Sequence, residues 1–294
     1  MVNTSKNSLK YNYIKIKPKK NIRSKIDIKN IYQETFCLIK RYYIQTQRRP
    51  SSLLSGILQP LLWLILFGAL FQNAPVNLLT QNKNYHQFLS PGIMVFSSFT
   101  GAINSGLPVM FDREFGFLNR LLVAPLKSRN SLLVSSIIFI ATMTTLQTSL
   151  IIMSSLLIEY NKLQVQQVII IFIILLLVTL SIGSVSICLA FILPGHIEFL
   201  ALILIVNLPT LFSSTALAPL SFMPYWLQII ASINPLTYAI ESIRCLYSIP
   251  LNYKNHIIKT VWLSLNIQNS IWLLMLITFI SLYLVKNIIL YKCE

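Results

Sequence analysis

FDREFGFLNRLLVAPLKSR, residues 111–129, sets six charged side chains between two long apolar runs. No Asp, Glu, Lys or Arg occurs from Asn84 to Phe111 or from Asn130 to Ile158. Each run exceeds the roughly 20 apolar residues needed to cross a bilayer. A charged island between two such runs is a loop joining two membrane spans. Uncharged stretches recur at Pro50–Asn82, Leu163–Ile197, Phe199–Ile240 and Thr260–Val285. The 294 residues are 55% hydrophobic and 11% charged, with mean hydropathy +0.67, whereas ordinary soluble domains carry about 25% charge. The expected fold class is all-α: a polytopic membrane protein with about six transmembrane helices.

The net charge of +16 is unevenly placed, with 13 of the 24 Lys and Arg in the first 50 residues. No base-reading module accompanies them, so the charge argues for membrane topology rather than nucleic acid. With six spans and the N-terminus inside, the inner segments hold 19 Lys and Arg against five outside. That bias places the N-terminus on the stromal or cytoplasmic side. Five- or seven-span alternatives would leave the C-terminus outside. The four cysteines have no CxxC spacing and are expected to be free thiols. A secretory leader is not expected, because the first apolar run begins after about 50 polar residues.

Residues 1–27 read as a basic disordered tail. Residues 28–49 read as an amphipathic helix, with Ile28, Ile31, Tyr32, Phe36, Ile39 and Tyr43 on one face and Asn30, Glu34, Arg41 and Arg48 on the other. Such a helix is expected to lie in the membrane interface, basic side toward water, and to end at Pro50. The rest, 50–294, is the transmembrane domain. Its spans are expected near Ser52–Phe71 (kinked at Pro60), Phe88–Met110, Leu132–Ile158, Val165–Leu193, from Ile197, and Ile267–Val285. Pro209, Pro219, Pro224, Pro235 and Pro250 forbid one straight helix after the fifth span. A re-entrant hairpin of two short helices, followed by a polar stretch at Asn252–Lys259, is expected there.

Chemistry-bearing motifs are missing. His86, His196 and His256 are isolated, and the only aspartates are Asp27 and Asp112. Gly101 and Gly106 have P-loop spacing, but Leu107 and Pro108 follow where Lys and Ser or Thr are required. The chain is therefore read as a non-enzyme that binds no metal or cofactor, although a partner that hydrolyses ATP could drive it. In 111–124, Phe111, Phe115, Leu118 and Leu122 fall at helical spacing, joined by Leu121, while Asp112, Arg113, Asn119 and Arg120 point elsewhere. Pro125 ends this predicted helix. It is either an anchor for the loop or a lever that a partner pushes.

REFGFLNRLLVAPLKSR (113–129) resembles the loop signature of ABC-2 type permeases, the membrane subunits of ATP-driven exporters. PLSFMPYWLQIIASINPLTYAIESIR (219–244) and SPGIM (90–94) resemble two further blocks of that family. The resemblance covers about residues 28–290 and is nearest the drug and lipo-oligosaccharide export branch, which includes plastid-encoded members. Departures are Ser213 and Ser214 in FSSTALAPL (212–220), and Phe117 in place of the usual Thr.

The resemblance implies a half-transporter, usually a homodimer, working with two separate ATPase subunits that hold ATP and Mg. It makes 111–129 the ATPase-coupling helix, with Phe111, Arg113, Glu114, Phe115, Gly116, Leu118 and Arg120 as its candidates. Arg113, Glu114 and Arg120 would then face the partner. It makes 28–49 the connecting helix. Pro224, Trp226, Asn234, Pro235, Glu241 and Arg244 are the candidates for the gate or re-entrant hairpin. Glu241 and Arg244 lie three apart on one helical face: either a salt bridge that holds the hairpin or a gate. Phe96, Phe99 and Phe212 are either route-lining or packing aromatics. An ion-coupled secondary transporter and a non-transporting assembly factor remain the alternatives. The excess of Lys over Arg, 16 to eight, tilts the expected location to a plastid membrane ahead of a bacterial inner membrane.

Overall fold

The computed structural model describes residues 28–48, 50–71, 85–123, 130–159, 164–248, 257–259 and 264–293. The tail 1–27, the loop residue Pro125 and most of the polar stretch before residue 257 lie outside them. The fold is all-α and polytopic, as expected. Four helical segments are long and apolar enough to cross a membrane, and two shorter apolar helices accompany them among the described residues.

The helices are α1 (Ile28–Gln47), α2 (Pro50–Leu70), α3 (Tyr85–Asn104), α4 (Leu107–Glu114), α5 (Phe117–Val123), α6 (Asn130–Glu159), α7 (Val165–Ile192), α8 (His196–Phe212), α9 (Tyr225–Ile233), α10 (Pro235–Ser248) and α11 (Ile267–Cys293). Pro50 opens α2 rather than closing α1. That suits a residue whose missing N–H costs nothing in a first helical turn. The last helix continues past Val285 to Cys293. Part of the expected polar stretch is instead a strand: β1 (Ile257–Lys259) pairs antiparallel with β2 (Ser264–Asn266), Ile258 opposite Leu265.

α3 is the centre of the bundle, packed by α2, α6, α7, α8 and α10. Its residues from Phe88 to Ile103 are all buried. Small residues in SPGIMVFSSFTGA let neighbouring helices approach closely. Two of its hydroxyls are turned onto its own backbone: Ser98 donates to the Val95 carbonyl at 2.8 Å and Thr100 to that of Ser97 at 3.1 Å. That satisfies polar groups where water is absent. Phe96 and Phe99 belong to this core, stacked on each other at 6.3 Å, whereas Phe212 is exposed. α11 packs mainly on α7 and leaves Trp272, Phe279 and Tyr283 exposed.

α1 lies against α6, with Tyr42 stacked on Phe139 at 5.1 Å. Tyr32, Phe36 and Tyr43 of the expected apolar face are exposed, while Leu38 and Tyr42 are the buried contacts. Arg41, expected to face water, stays partly exposed but turns its guanidinium onto Asp112 of α4. The helical periodicity was legible; which face meets protein was not.

Candidate functional site

The charged island folds differently from the single helix expected for 111–124. FDRE closes α4, and FLNRLLV forms α5. Gly116 breaks the helix between them with φ +73, a left-handed conformation that costs other residues about 1–2 kcal/mol. The expected apolar stripe is divided at this joint. Leu118 is buried, Phe111 half-buried, and Phe115 is 68% exposed and stacked on Phe111 at 5.8 Å. Arg120 is exposed and Val123 is 88% exposed.

Three consecutive charges of α4 bind three different helices. Asp112 is 7% exposed and takes a two-pronged salt bridge from Arg41 of α1, with Nη1 donating to Oδ2 at 2.8 Å. The same guanidinium lies over the Phe117 ring of α5 at 3.5 Å. A planar cation can pair with a carboxylate edge-on and stack on an aromatic face together.

Arg113 reaches the other way, to the end of α7. It donates to the carbonyls of Ala190 and Pro194, each at 2.9 Å, and also to that of Leu193. The last carbonyls of a helix lack intrahelical donors and carry its negative dipole end, so a cation is favoured there. Glu114 performs the complementary task at α8. Its carboxylate accepts the His196 backbone N–H at 3.0 Å and lies 2.8 Å from His196 Nδ1. A helix N-terminus favours an anion for the same reason. Adjacent residues of opposite charge thus hold the two ends of the α7–α8 turn. Arg113 and Glu114 were expected to face a partner; their side chains are engaged within the chain.

At the opposite end of α3, the hairpin candidates form a second constellation. Pro224 caps α9 and Pro235 opens α10, so the prolines sit where helices begin. Asn234 occupies the joint. Its Oδ1 accepts the Leu236 N–H at 3.0 Å, and its Nδ2 donates to the carbonyls of Thr210 and Ser213 at 3.3 and 3.2 Å. The hairpin is thereby tied to the end of α8.

Glu241 and Arg244 pair at 2.5 Å, the salt-bridge reading of the two. Arg244, 7% exposed, also donates to the carbonyls of Phe88 and Thr215 at 3.2 and 2.8 Å and lies over the Phe88 ring at 3.7 Å. It fastens α10 to the start of α3 and to the turn after α8. Trp226 and Pro224 remain exposed and join none of this network.

Sequence reasoning singled out Arg113, Glu114, Glu241 and Arg244 but not Arg41 or His196 as their company. Arg41 and Asp112 are 71 residues apart and His196 is 82 from Glu114. Their only sequence signals were an acid within a basic loop and a histidine following a Pro-Gly turn.

The family profile of the ABC-2 type transporter matches residues 33–247. A relative in Porphyra purpurea, provisionally named transport permease ycf38, is 55% identical over 88% of this chain and 89% of its own length. Relatives bearing the same name in Pyropia yezoensis and Cyanophora paradoxa are 53% and 50% identical, over 88% and 87% of this chain and 90% and 89% of theirs.

Proposed function

Because this chain belongs to the ABC-2 type transporter family, we propose that it is the transmembrane subunit of an exporter driven by a separate ATPase, in a plastid membrane. It is a multi-pass transport permease; the partner, the direction and the location are the proposal. Two copies of the chain would enclose the pathway, with ATP and Mg held by the partner subunits and the N-terminus on the stromal side.

The observation that carries this reading is the split form of the charged island. α4 is held to α1, α7 and α8 by Asp112, Arg113 and Glu114, while Phe115, Arg120 and Val123 at and beyond the Gly116 joint are exposed. A rigidly mounted base with a free apolar and basic tip is what a lever requires. In this reading Phe115 and Arg120 meet the ATPase, and Arg113 and Glu114 pass the displacement to α7 and α8. α3 then carries it to the Arg244 constellation, along roughly 24 Å of helix from Asn104 to Phe88 at 1.5 Å per residue.

A proton-coupled transporter needs an ionisable side chain at depth that is free to gain and lose a proton. Glu241 is paired with Arg244 and acts as a strut, which favours the ATP-driven reading.

The test is affinity purification of the tagged full chain in mild detergent. A near-stoichiometric protein with a Walker A motif should accompany the wild type. It should be lost from Phe115→Ala/Arg120→Glu while the thermal stability of the permease is kept. Retention of that ATPase by the double variant would remove the lever assignment; a wild-type preparation with no ATPase would remove the exporter reading.

A further inference from the structure

A cavity of about 260 Å³ lies between α1, α2, α3, α4 and α6. Gln45, Ser55, Asn104 and Gln147 are on its polar wall and Phe139 and Met143 on its apolar wall. No charged side chain is among its described lining residues.

Gln147 is the telling residue. It is 7% exposed, and its side-chain amide is wedged between two glycines: a Cβ on Gly56 or Gly101 would come within 2.7 or 2.6 Å of it. The space needed by that amide is therefore made by two other helices. Yet its Oε1 accepts no hydrogen bond from any described residue, and neither does Oε1 of Gln45. Buried amide oxygens without donors are costly and rare. Both glutamines line the cavity, and a donor-rich ligand entering it would offer their amide oxygens the partners they lack.

An anion would find no cation among the described lining residues, and a cation would find no carboxylate among them. Hydroxyl groups suit both the amides and the aromatic and thioether wall. At ~30 Å³ per water, the volume has room for a sugar-sized group. The rim indicates where such a group comes from: Ser55 lines the cavity, and its neighbours Leu54 and Leu58 on α2 are exposed apolar residues. The mouth thus adjoins surface suited to acyl chains.

We propose that this cavity binds the uncharged, hydroxyl-bearing headgroup of a membrane amphiphile. Its floor includes Leu107 and Phe111 of α4, so occupancy bears on the helix that carries Asp112, Arg113 and Glu114. The inference goes beyond the exporter reading and stands whether or not a separate ATPase drives the chain.

The test uses the full-length protein in micelles doped equally with monogalactosyl diacylglycerol and phosphatidylglycerol of matched chains. Lipid retained after washing is counted by native mass spectrometry. The wild type should keep the galactolipid in preference. Gln147→Leu, and separately Asn104→Leu at the exposed rim, should each reduce retention about fivefold, the worth of one neutral hydrogen bond. Excess free galactose should leave it unchanged. Equal retention of the two lipids, equal retention by wild type and both variants, or displacement by free galactose would each overturn the proposal.

Discussion

Arg41 and Asp112 form a bidentate pair that joins the amphipathic helix α1 to the end of α4. Asp112 is the buried partner, at 7% exposure. Its charge is tolerated because two guanidinium nitrogens meet it. Removing one member of a buried pair leaves the other uncompensated, a loss of about 3–5 kcal/mol at full burial and less with Arg41 half-exposed.

Asp112→Ala is therefore expected to lower the thermal midpoint and to free α1, read as faster proteolysis between α1 and α2. The exchange Arg41→Asp with Asp112→Arg should recover part of both. Protease sensitivity equal to wild type in Asp112→Ala would show that α6 alone holds α1.

Arg113 and Glu114 are expected to fail differently. Arg113→Lys keeps the charge but loses the fork that reaches carbonyls on both sides of the α7 terminus. It should destabilise the protein by about 1 kcal/mol, the net worth of a lost hydrogen bond. Glu114→Gln keeps an acceptor for the His196 N–H and should be milder than Glu114→Ala. Cysteine accessibility in the α7–α8 turn would report both. Equal effects of Gln and Ala would mean that the carboxylate, not its acceptor geometry, is what α8 uses.

Gly116 offers a test of backbone alone, since a Cβ there would meet nothing within 4 Å. Gly116→Ala should cost about 1–2 kcal/mol through its positive φ. Gly116→Asn should be better tolerated than Gly116→Val, because Asn enters the left-handed region and β-branched residues resist it. Thermal denaturation of the three variants in one detergent gives the order. Val matching Asn would mean that the α4–α5 joint is not held in this conformation.

Arg244 links three segments, so Arg244→Ala should be among the most damaging single changes in the chain. About 3–5 kcal/mol is expected, with Glu241 left unpaired and two carbonyls losing a donor. Glu241→Gln should cost less, since Arg244 keeps its carbonyl partners. The swap Glu241→Arg with Arg244→Glu should restore little, because a carboxylate cannot donate to Phe88 and Thr215. Full recovery by the swap would reduce the network to a simple ion pair. Fluorescence-detected size exclusion against temperature ranks these variants.

The sequence by itself determined the class of fold. Uncharged runs of span length leave the chain no other solvent than lipid, and they place the helices to within a few residues. Turn-forming Pro and Gly marked the α7–α8 turn at Pro194–Gly195 and the two-helix hairpin at Pro224 and Pro235, because their backbone limits act locally. The candidate site was half legible: Arg113, Glu114, Glu241 and Arg244 stood out as charges in apolar surroundings, where ions are costly. Their partners were decided only by the tertiary structure. Arg41 meeting Asp112, His196 meeting Glu114, and Arg244 meeting the Phe88 carbonyl each span 71 residues or more. Gln147 reaches Gly56 and Gly101 only through the packing of α6 on α2 and α3. Periodicity states that a helix has faces, but which face meets which neighbour depends on packing among helices that the chain brings together only on folding.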